Sequence, residues 1–532
     1  MTSSSFLKSG LGSALLLAVL GALLYFPSFA ADELDDEEGR RALPAREMVE
    51  SGDFVVPTLW GEPYLSKPPL YFWLVAAAST LTDGVNTAST RLPSVLATIL
   101  TALLLCWFGR RLAGPTTGLT AGALFLVTFS VIEKGSFGEL EAVFTLTVFA
   151  SVAALYCASQ GSRLALLLTA LALGAALLTK GPPALVFFGA AAIAIAVANR
   201  EKRFLWSLQL WLPVVIAVVI SGTWTYLLLA RPEVEDAMSK WGEQMSRGGL
   251  TDFAKYLKQR QSFIGSVFAG FFPPILVTLL ALRTDLGRRV FREPAFRFCL
   301  IALALGLLFF LLVPGTQSRY VHPLLPLAAL VAGRLLAAEL ENTDPRFARR
   351  LAGLGRFVAF LGFAVAGGAV WLLFRPIGKF DYLGPVGYAL AALVFGTALV
   401  AWRAWSRPTS SRALWATFCV LALLRLIQIG EIVPQAAGRQ GRVERAAKIT
   451  APVPADEPIY LGTDHHYNLL FYVERKLERI HNLRETPVGG YLLVREEQLE
   501  ELHADPALPF EPILSPETHE GNRLALVRIS AR

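Results

Sequence analysis

The chain has 532 residues, 54% of them hydrophobic and only 17% charged, with a net charge of +7 and a mean hydropathy of +0.50. Soluble domains carry about a quarter of their residues as charges, so a soluble enzyme is excluded. Apolar windows of about 20 residues, long enough for a helix to cross the roughly 30 Å hydrocarbon layer, recur from residue 10 to about 433. The composition therefore predicts a polytopic, mainly α membrane protein.

In chain order the apolar windows predict about thirteen spans: 10–30, 92–109, 116–132, 140–159, 163–179, 183–198, 206–229, 263–282, 298–313, 321–338, 357–374, 384–402 and 412–432. Basic residues are retained on the cytoplasmic side. Arg110–Arg111, the run 199–203, Arg283 through Arg297, Arg346 through Arg356 and Arg403 through Arg412 fall on alternate loops. Loops 31–91, 230–262 and 314–320 then face outward, and an odd span count carries the C-terminus outward from a cytoplasmic N-terminus. The excess positive charge is accounted for by this asymmetry and by attraction to anionic lipid heads, and no nucleic-acid partner is expected. Ser28-Phe29-Ala30 resembles a signal-peptide cleavage site, but the first span is expected to be retained. Cys106, Cys157, Cys299 and Cys419 are scattered singly within or at the ends of spans, with no metal or disulfide spacing, and are expected to pack.

The first outer loop is acidic in a basic protein. Residues 32–38 hold six carboxylates in seven positions, and residues 31–69 hold ten Asp or Glu against four Lys or Arg. EEGRRALPAREMVESG predicts an interfacial helix ending at Gly52, bent or interrupted at Pro44. Pro68 and Pro69 are placed to open a second helix, with Tyr71, Phe72 and Trp73 suited to the membrane interface. Residues 231–261 carry the mixed pattern of a helix lying on the membrane. Beyond 433 a small α/β domain is expected, with strand-like runs PIYLGT, NLLFYV, GGYLLVRE and RLALVRI and the helical EEQLEELH. The domain boundaries predicted are thus 1–433 for the membrane part, with its outer loops, and 434–532 for the soluble part. The His465–His466 pair reads as solvated loop.

Ionisable groups in spans are costly, and here they gather at outward ends: Glu133, Lys134, Glu139 and Glu141; Lys180 in TKGPP; Arg319 and Tyr320 in PGTQSRYVHPLLP. The TKGPP turn reads chiefly as punctuation between helices. Arg425 is the exception, inside the last span with no partner evident. A carboxylate beside cations at the lipid surface suits transfer of a sugar held on a lipid phosphate. The carboxylate would deprotonate an acceptor hydroxyl, and Lys or Arg would hold the departing phosphate.

The stretch EEGRRALPAREMVESGDFVVPTLWGEPYLSKPPLYFWL, followed in order by RLPS (91–94), LTKGPPAL (178–185), WGEQMSR (241–247) and RYVHPLLPLAAL (319–330), resembles the lipid A aminoarabinose transferase and protein O-mannosyltransferase superfamily. These are GT-C-type integral membrane glycosyltransferases that use polyprenyl-phosphate sugars. The resemblance implies Glu37 as general base, with Asp36 and Glu38 as neighbouring alternatives, and Glu141 as the second carboxylate, with Glu139 as its alternative. Glu139 and Glu141 lie about 200° apart on a helix, so they cannot both face one site. Lys67, Arg247, Tyr64, Arg319 and Tyr320 are implied at the lipid phosphate and donor. The Glu and His that look like the aminoarabinose transferases' metal ligands are here Ser66 and Gln244, so no metal cofactor is expected. The expected partners are membrane lipid, a polyprenyl-phosphate-linked sugar, and a lipid, glycan or protein acceptor at a bacterial inner membrane. The sequence keeps two rivals open: a lipid-linked sugar flippase or transporter, and a non-catalytic assembly subunit. A flippase would favour paired repeats and interrupted helices, which are not evident here.

Overall fold

The computed structural model describes residues 9–30, 33–34, 37–235, 253–375, 383–406, 411–433, 441–462, 466–519 and 522–530. It is mainly helical, and its contacts group into two compact units that interleave along the chain. One unit holds Met1–Ala30, Arg91–Leu227 and Lys240–Val433; the other holds Ala31–Thr90, Leu228–Ser239 and Pro434–Arg532. Residues 31–90 thus group with the C-terminal segment, which cuts the chain differently from a single boundary at 433.

Among the described residues of the first unit, ten helices are long and apolar enough to cross a membrane: Gly10–Phe29, Thr87–Ala113, Leu140–Ser159, Arg163–Lys180, Lys202–Leu229, Pro294–Leu312, Ser318–Glu341, Pro345–Leu372, Pro385–Ala404 and Ser411–Ile432. An eleventh crossing results if a bent pair counts as one: Tyr256–Gly270 and Pro274–Ala281 meet at 91°. Three of the thirteen expected windows do not form single straight helices of spanning length. The window 116–132 is divided into Pro115–Leu126 and Phe129–Lys134 because Thr128 takes extended backbone angles. Pro183–Ala198 has 16 residues, short of the ~20 a spanning helix needs. The window 263–282 is the bent pair.

Helix faces in this unit approach closely through small residues, the packing that membranes favour. A Cβ at Gly118 would run into the Cys106 carbonyl, and one at Gly333 would meet the backbone of Ala121. The first helix is part of the core: Leu17, Leu24 and Tyr25 are buried, the Tyr25 hydroxyl donates to the Leu126 carbonyl at 2.7 Å, and Arg91 donates to the Ser28 carbonyl at 2.5 Å. Cys106, Cys157 and Cys299 are buried as expected, whereas Cys419 is exposed.

The second unit is built around a five-stranded sheet. Its strands are β3 (Ile459–Leu461), β4 (Leu477–Arg479), β5 (Tyr491–Arg495), β6 (Phe510–His519) and β7 (Asn522–Ile529); β1 (Thr58–Leu59) and β2 (Glu62–Pro63) form a separate hairpin. The sheet order is β4-β3-β5-β7-β6, with β3 parallel to β4 and β5 and the β5–β7 and β6–β7 pairs antiparallel. Leu492 and Val494 of β5 and Ala525, Val527 and Ile529 of β7 alternate onto one face and bury against Leu502 of the helix Glu496–Ala504, as a period-2 pattern requires. NLLFYV is not a strand: Tyr467–Leu470 forms a helical turn whose Asn468 side chain is spent on the first outer helix. His466 is buried rather than solvated; His465 lies outside the described residues.

That outer helix runs Gly39–Ser51 and continues through Pro44. It stops at Gly52, whose φ of 73° is the left-handed ending that glycine adopts readily. Gly39 N donates to Asn468 Oδ1 at 2.7 Å, and a Cβ there would sit 2.6 Å from the Tyr467 carbonyl. Arg46 donates to the Phe471 carbonyl at 2.9 Å and lies 3.8 Å over that ring. The β1–β2 hairpin turns on Trp60 and Gly61, at φ 58° and 79°, the two positive angles of a type I′ turn. Glu47 accepts from both their amides, at 2.6 and 3.1 Å, and Trp60 stacks on Tyr467 with centroids 5.5 Å apart. The second short helix, Leu70–Ser79, follows Pro69. Its Tyr71 and Phe72 are fully buried rather than spread in an interfacial belt.

Candidate active site

In the second unit the acidic segment meets a cationic and aromatic frame. Glu37 Oε2 accepts from Arg40 at 3.4 Å and Arg41 at 3.5 Å, one helical turn along, where i,i+3 and i,i+4 side chains meet. Arg41, itself buried, also donates to the Tyr64 hydroxyl at 3.1 Å. Arg40 lies 5.5 Å from the Tyr64 and Tyr467 ring centroids. Burial works against the Arg40 charge, but Tyr64, Tyr467 and Glu37 outweigh it and raise its pKa above the ordinary arginine value. Glu37 keeps 26% of its side chain exposed, whereas Glu38 is wholly buried. Lys67 is half-buried and donates to the Ser66 carbonyl at 3.0 Å. Asp36 and Arg247, with Gln244, lie outside the described residues.

The first unit holds a separate charged cluster. Glu141 stands in the first turn of Leu140–Ser159, where the helix dipole favours an anion, and Lys180 ends Arg163–Lys180, where it favours a cation. Their atoms meet at 3.0 Å with side-chain exposures of 5% and 7%. The Lys180 ammonium also lies 4.8 Å from the Tyr320 ring and 5.4 Å from Phe144. Glu139 turns elsewhere, to Lys134 at 2.9 Å, so the two carboxylates serve different partners. Arg319 is half-buried in the turn Ser318–Leu324, beside Tyr320.

Sequence reasoning understated Lys180 and Arg425 and did not single out His322. Lys180 read as punctuation, yet it links Glu141 to Tyr320. His322 is buried; its Nδ1 is 2.7 Å from Thr145 Oγ1 and its Nε2 3.3 Å from the Ser130 carbonyl. Thr145 lies four residues after Glu141, on the same helix face. Arg425 does have neighbours: Ser136 Oγ at 2.6 Å, Gln428 Oε1 at 3.2 Å and the Tyr25 ring at 5.5 Å. Its span was the only available signal, because an intramembrane arginine is rare.

Chemically, one unit offers an accessible carboxylate held by guanidinium groups. The other offers a desolvated carboxylate–ammonium pair under an aromatic ring. Such groups suit proton removal from a hydroxyl and retention of an anionic leaving group. The fold and these groups together define a multi-pass membrane protein equipped for polar group transfer.

Residues 66–226 match the family model described as dolichyl-phosphate-mannose-protein mannosyltransferase. The chain is 29% identical to an undecaprenyl phosphate-alpha-4-amino-4-deoxy-L-arabinose arabinosyl transferase of Edwardsiella ictaluri, over 79% of this chain and 76% of that protein. It is 28% identical, with the same coverage, to the protein of that name from Pseudomonas paraeruginosa. Among solved structures, ArnT of Cupriavidus metallidurans superposes with a TM-score of 0.71 in the apo state, at 18% identity, covering 96% of this chain and 97% of that one. Its undecaprenyl phosphate-bound structure gives 0.70 at 19% identity, with 98% of each chain covered. Over most of its length the chain is thus similar to the arabinosyl transferases of that name, and over residues 66–226 to the mannosyltransferase family model.

Proposed function

We propose that this chain is an inverting glycosyltransferase of a bacterial inner membrane. It moves one hexosyl or pentosyl unit from a polyprenyl-phosphate carrier to a hydroxyl of a lipid, glycan or protein on the outer side. The acceptor oxygen attacks the anomeric carbon as its proton passes to Glu37. The bond to the phosphate breaks on the opposite face, and the phosphate leaves with the bonding electrons. Lys67 and Arg247 hold that phosphate; Arg319 and Tyr320 line the donor; Glu141 places the acceptor. No metal has a role in this scheme, since Ser66 and Gln244 are poor ligand types.

The observation that carries the reading is Glu37 itself. It is the more accessible of the two leading carboxylates, and both arginine contacts use one oxygen. The orientation has independent support. Residues 31–90 and 434–532 group in one compact unit, which favours a common side of the membrane for both, and the basic loops favour the outer one.

The test is Glu37→Gln in proteoliposomes supplied with a polyprenyl-phosphate sugar on the outer leaflet. Transfer should fall by about 10²-fold or more, the usual worth of a positioned base, with insertion unchanged. Full activity in the variant removes Glu37 from the mechanism. Movement of intact lipid without sugar turnover would mean a flippase.

A further inference from the structure

The second unit contains a groove of about 1150 Å³ that the transfer chemistry does not use. One wall is a single face of the outer helix, where Leu43, Arg46, Glu47, Glu50 and Ser51 recur at helical spacing. Another wall is β4, and there Lys476, Leu477, Glu478 and Arg479 all line the groove. A groove lying over one face of a strand touches alternate residues; four in succession mean that it runs along the strand's edge. Among the described residues that edge carries no further strand, because β4 ends the sheet and pairs with β3. Ile459 N donates to the Lys476 carbonyl and Ile480 N to the Leu461 carbonyl. The intervening Leu477 therefore turns its amide and carbonyl away from β3. Trp60 lines the same groove. It is 5% exposed and its indole Nε1 has no hydrogen-bond partner, a buried donor in want of an acceptor.

The groove holds seven carboxylates against four cations, and the cations are already engaged. Arg46 and Arg475 donate to the carbonyls of Phe471 and Val453. Lys476 pairs with Glu478 at 2.6 Å, and Arg479 with Glu62 at 3.2 Å. Among the described residues Glu50, Glu233 and Glu474 form no ion pair, and all three are exposed. A phosphate or an anionic lipid head is repelled here. A metal ion or a polyamine would neutralise the carboxylates, but it offers the Leu477 amide and the Trp60 indole no acceptor. An extended peptide with basic side chains supplies both, since its main chain continues the sheet beyond β4 and its lysines or arginines meet the unpaired carboxylates. We propose that this groove docks an extended, basic segment of another protein on the outer side, by strand addition to β4. The three residues of β4 keep the added strand short. The inference lies outside sugar transfer and does not depend on it.

The experiment uses the full chain in nanodiscs and, as probe, a short fluorescent peptide of alternating Lys and Thr, with binding followed by anisotropy. Two further peptides serve as controls: one with Glu in place of Lys, and the Lys–Thr peptide N-methylated along its backbone. The Lys–Thr peptide should bind and the acidic one should not. N-methylation, which removes the main-chain donors, should weaken binding roughly fivefold or more, the worth of about one net hydrogen bond or above. Leu477→Pro removes the outward amide and keeps the bonds to β3, a change that edge strands accept, and should also cost roughly fivefold. Glu50→Gln/Glu474→Gln should weaken binding by a factor that shrinks as salt is raised. Unfolding midpoints of the variants are measured alongside; if Leu477→Pro does not fold, the N-methylated peptide carries the same test on the wild type. Binding that survives N-methylation is attraction to an acidic rim alone and overturns strand addition. Failure of the Lys–Thr peptide to bind the folded wild type overturns the proposal outright.

Discussion

The Glu141–Lys180 contact is the most consequential pair of side chains in the membrane unit. Both members are desolvated, so losing one removes a close counter-charge from the other where water cannot replace it, at a cost of about 3–5 kcal/mol. Lys180→Met or Glu141→Leu alone should therefore lower the unfolding midpoint in detergent markedly, and the double variant should recover most of the loss. Simple additivity of the two losses would show that the pair is not coupled. The sequence exposed each residue at an outward helix end, but not their meeting. They stand 39 residues apart, and only the packing of two helices brings them together. Glu37 was more legible, since its arginine partners are three and four residues on and helical spacing alone implies the contact. Its link through Arg41 to Tyr64 crosses 23 residues and needed the fold.

At the scale of elements, apolar windows located most helices because burial in lipid leaves a long unbroken signature. They failed at Thr128 and at the 91° break, where backbone geometry rather than hydropathy ends a helix. NLLFYV misled for a related reason: a short apolar run carries no period of its own. Asp344 illustrates a boundary that is readable locally. It caps Pro345–Leu372 by accepting from the Arg346 and Phe347 amides, and it also accepts from Leu286 N at 3.0 Å. Burial pushes its carboxyl upward, but the amides of Leu286, Phe347 and Arg346 prevail and hold it below the usual carboxylate range. A depressed folded pKa means stability that is present above the ordinary aspartate value and lost as pH falls through the folded one. Asp344→Ala should cost about 1–2 kcal/mol near neutrality. That difference from wild type should shrink in acid, as followed by thermal unfolding across pH. A gap that persists unchanged at the lowest pH would deny the carboxylate its role.

At the scale of the whole molecule, linear reading placed the outer loop with the membrane part and set the soluble part apart. The compact units instead join residues 31–90 to 434–532. No local pattern could reveal this, because Gly39 and Asn468 are 429 positions apart. Gly39 is the sensitive joint. Gly39→Val must displace backbone at Tyr467 and Asn468, costing about 1–3 kcal/mol as overpacking does. We expect it to open the segment around residues 31–52 to protease while the membrane helices stay resistant; equal resistance of that segment in both proteins would refute the joint. The same arrangement imposes an order on biogenesis. A ribosome delivers the acidic helix early, but the partners that seat it emerge only after the membrane helices have been made. Strand β7, flanked by β5 and β6, comes later still. The nascent outer segment must therefore remain unassembled until those later partners have been made.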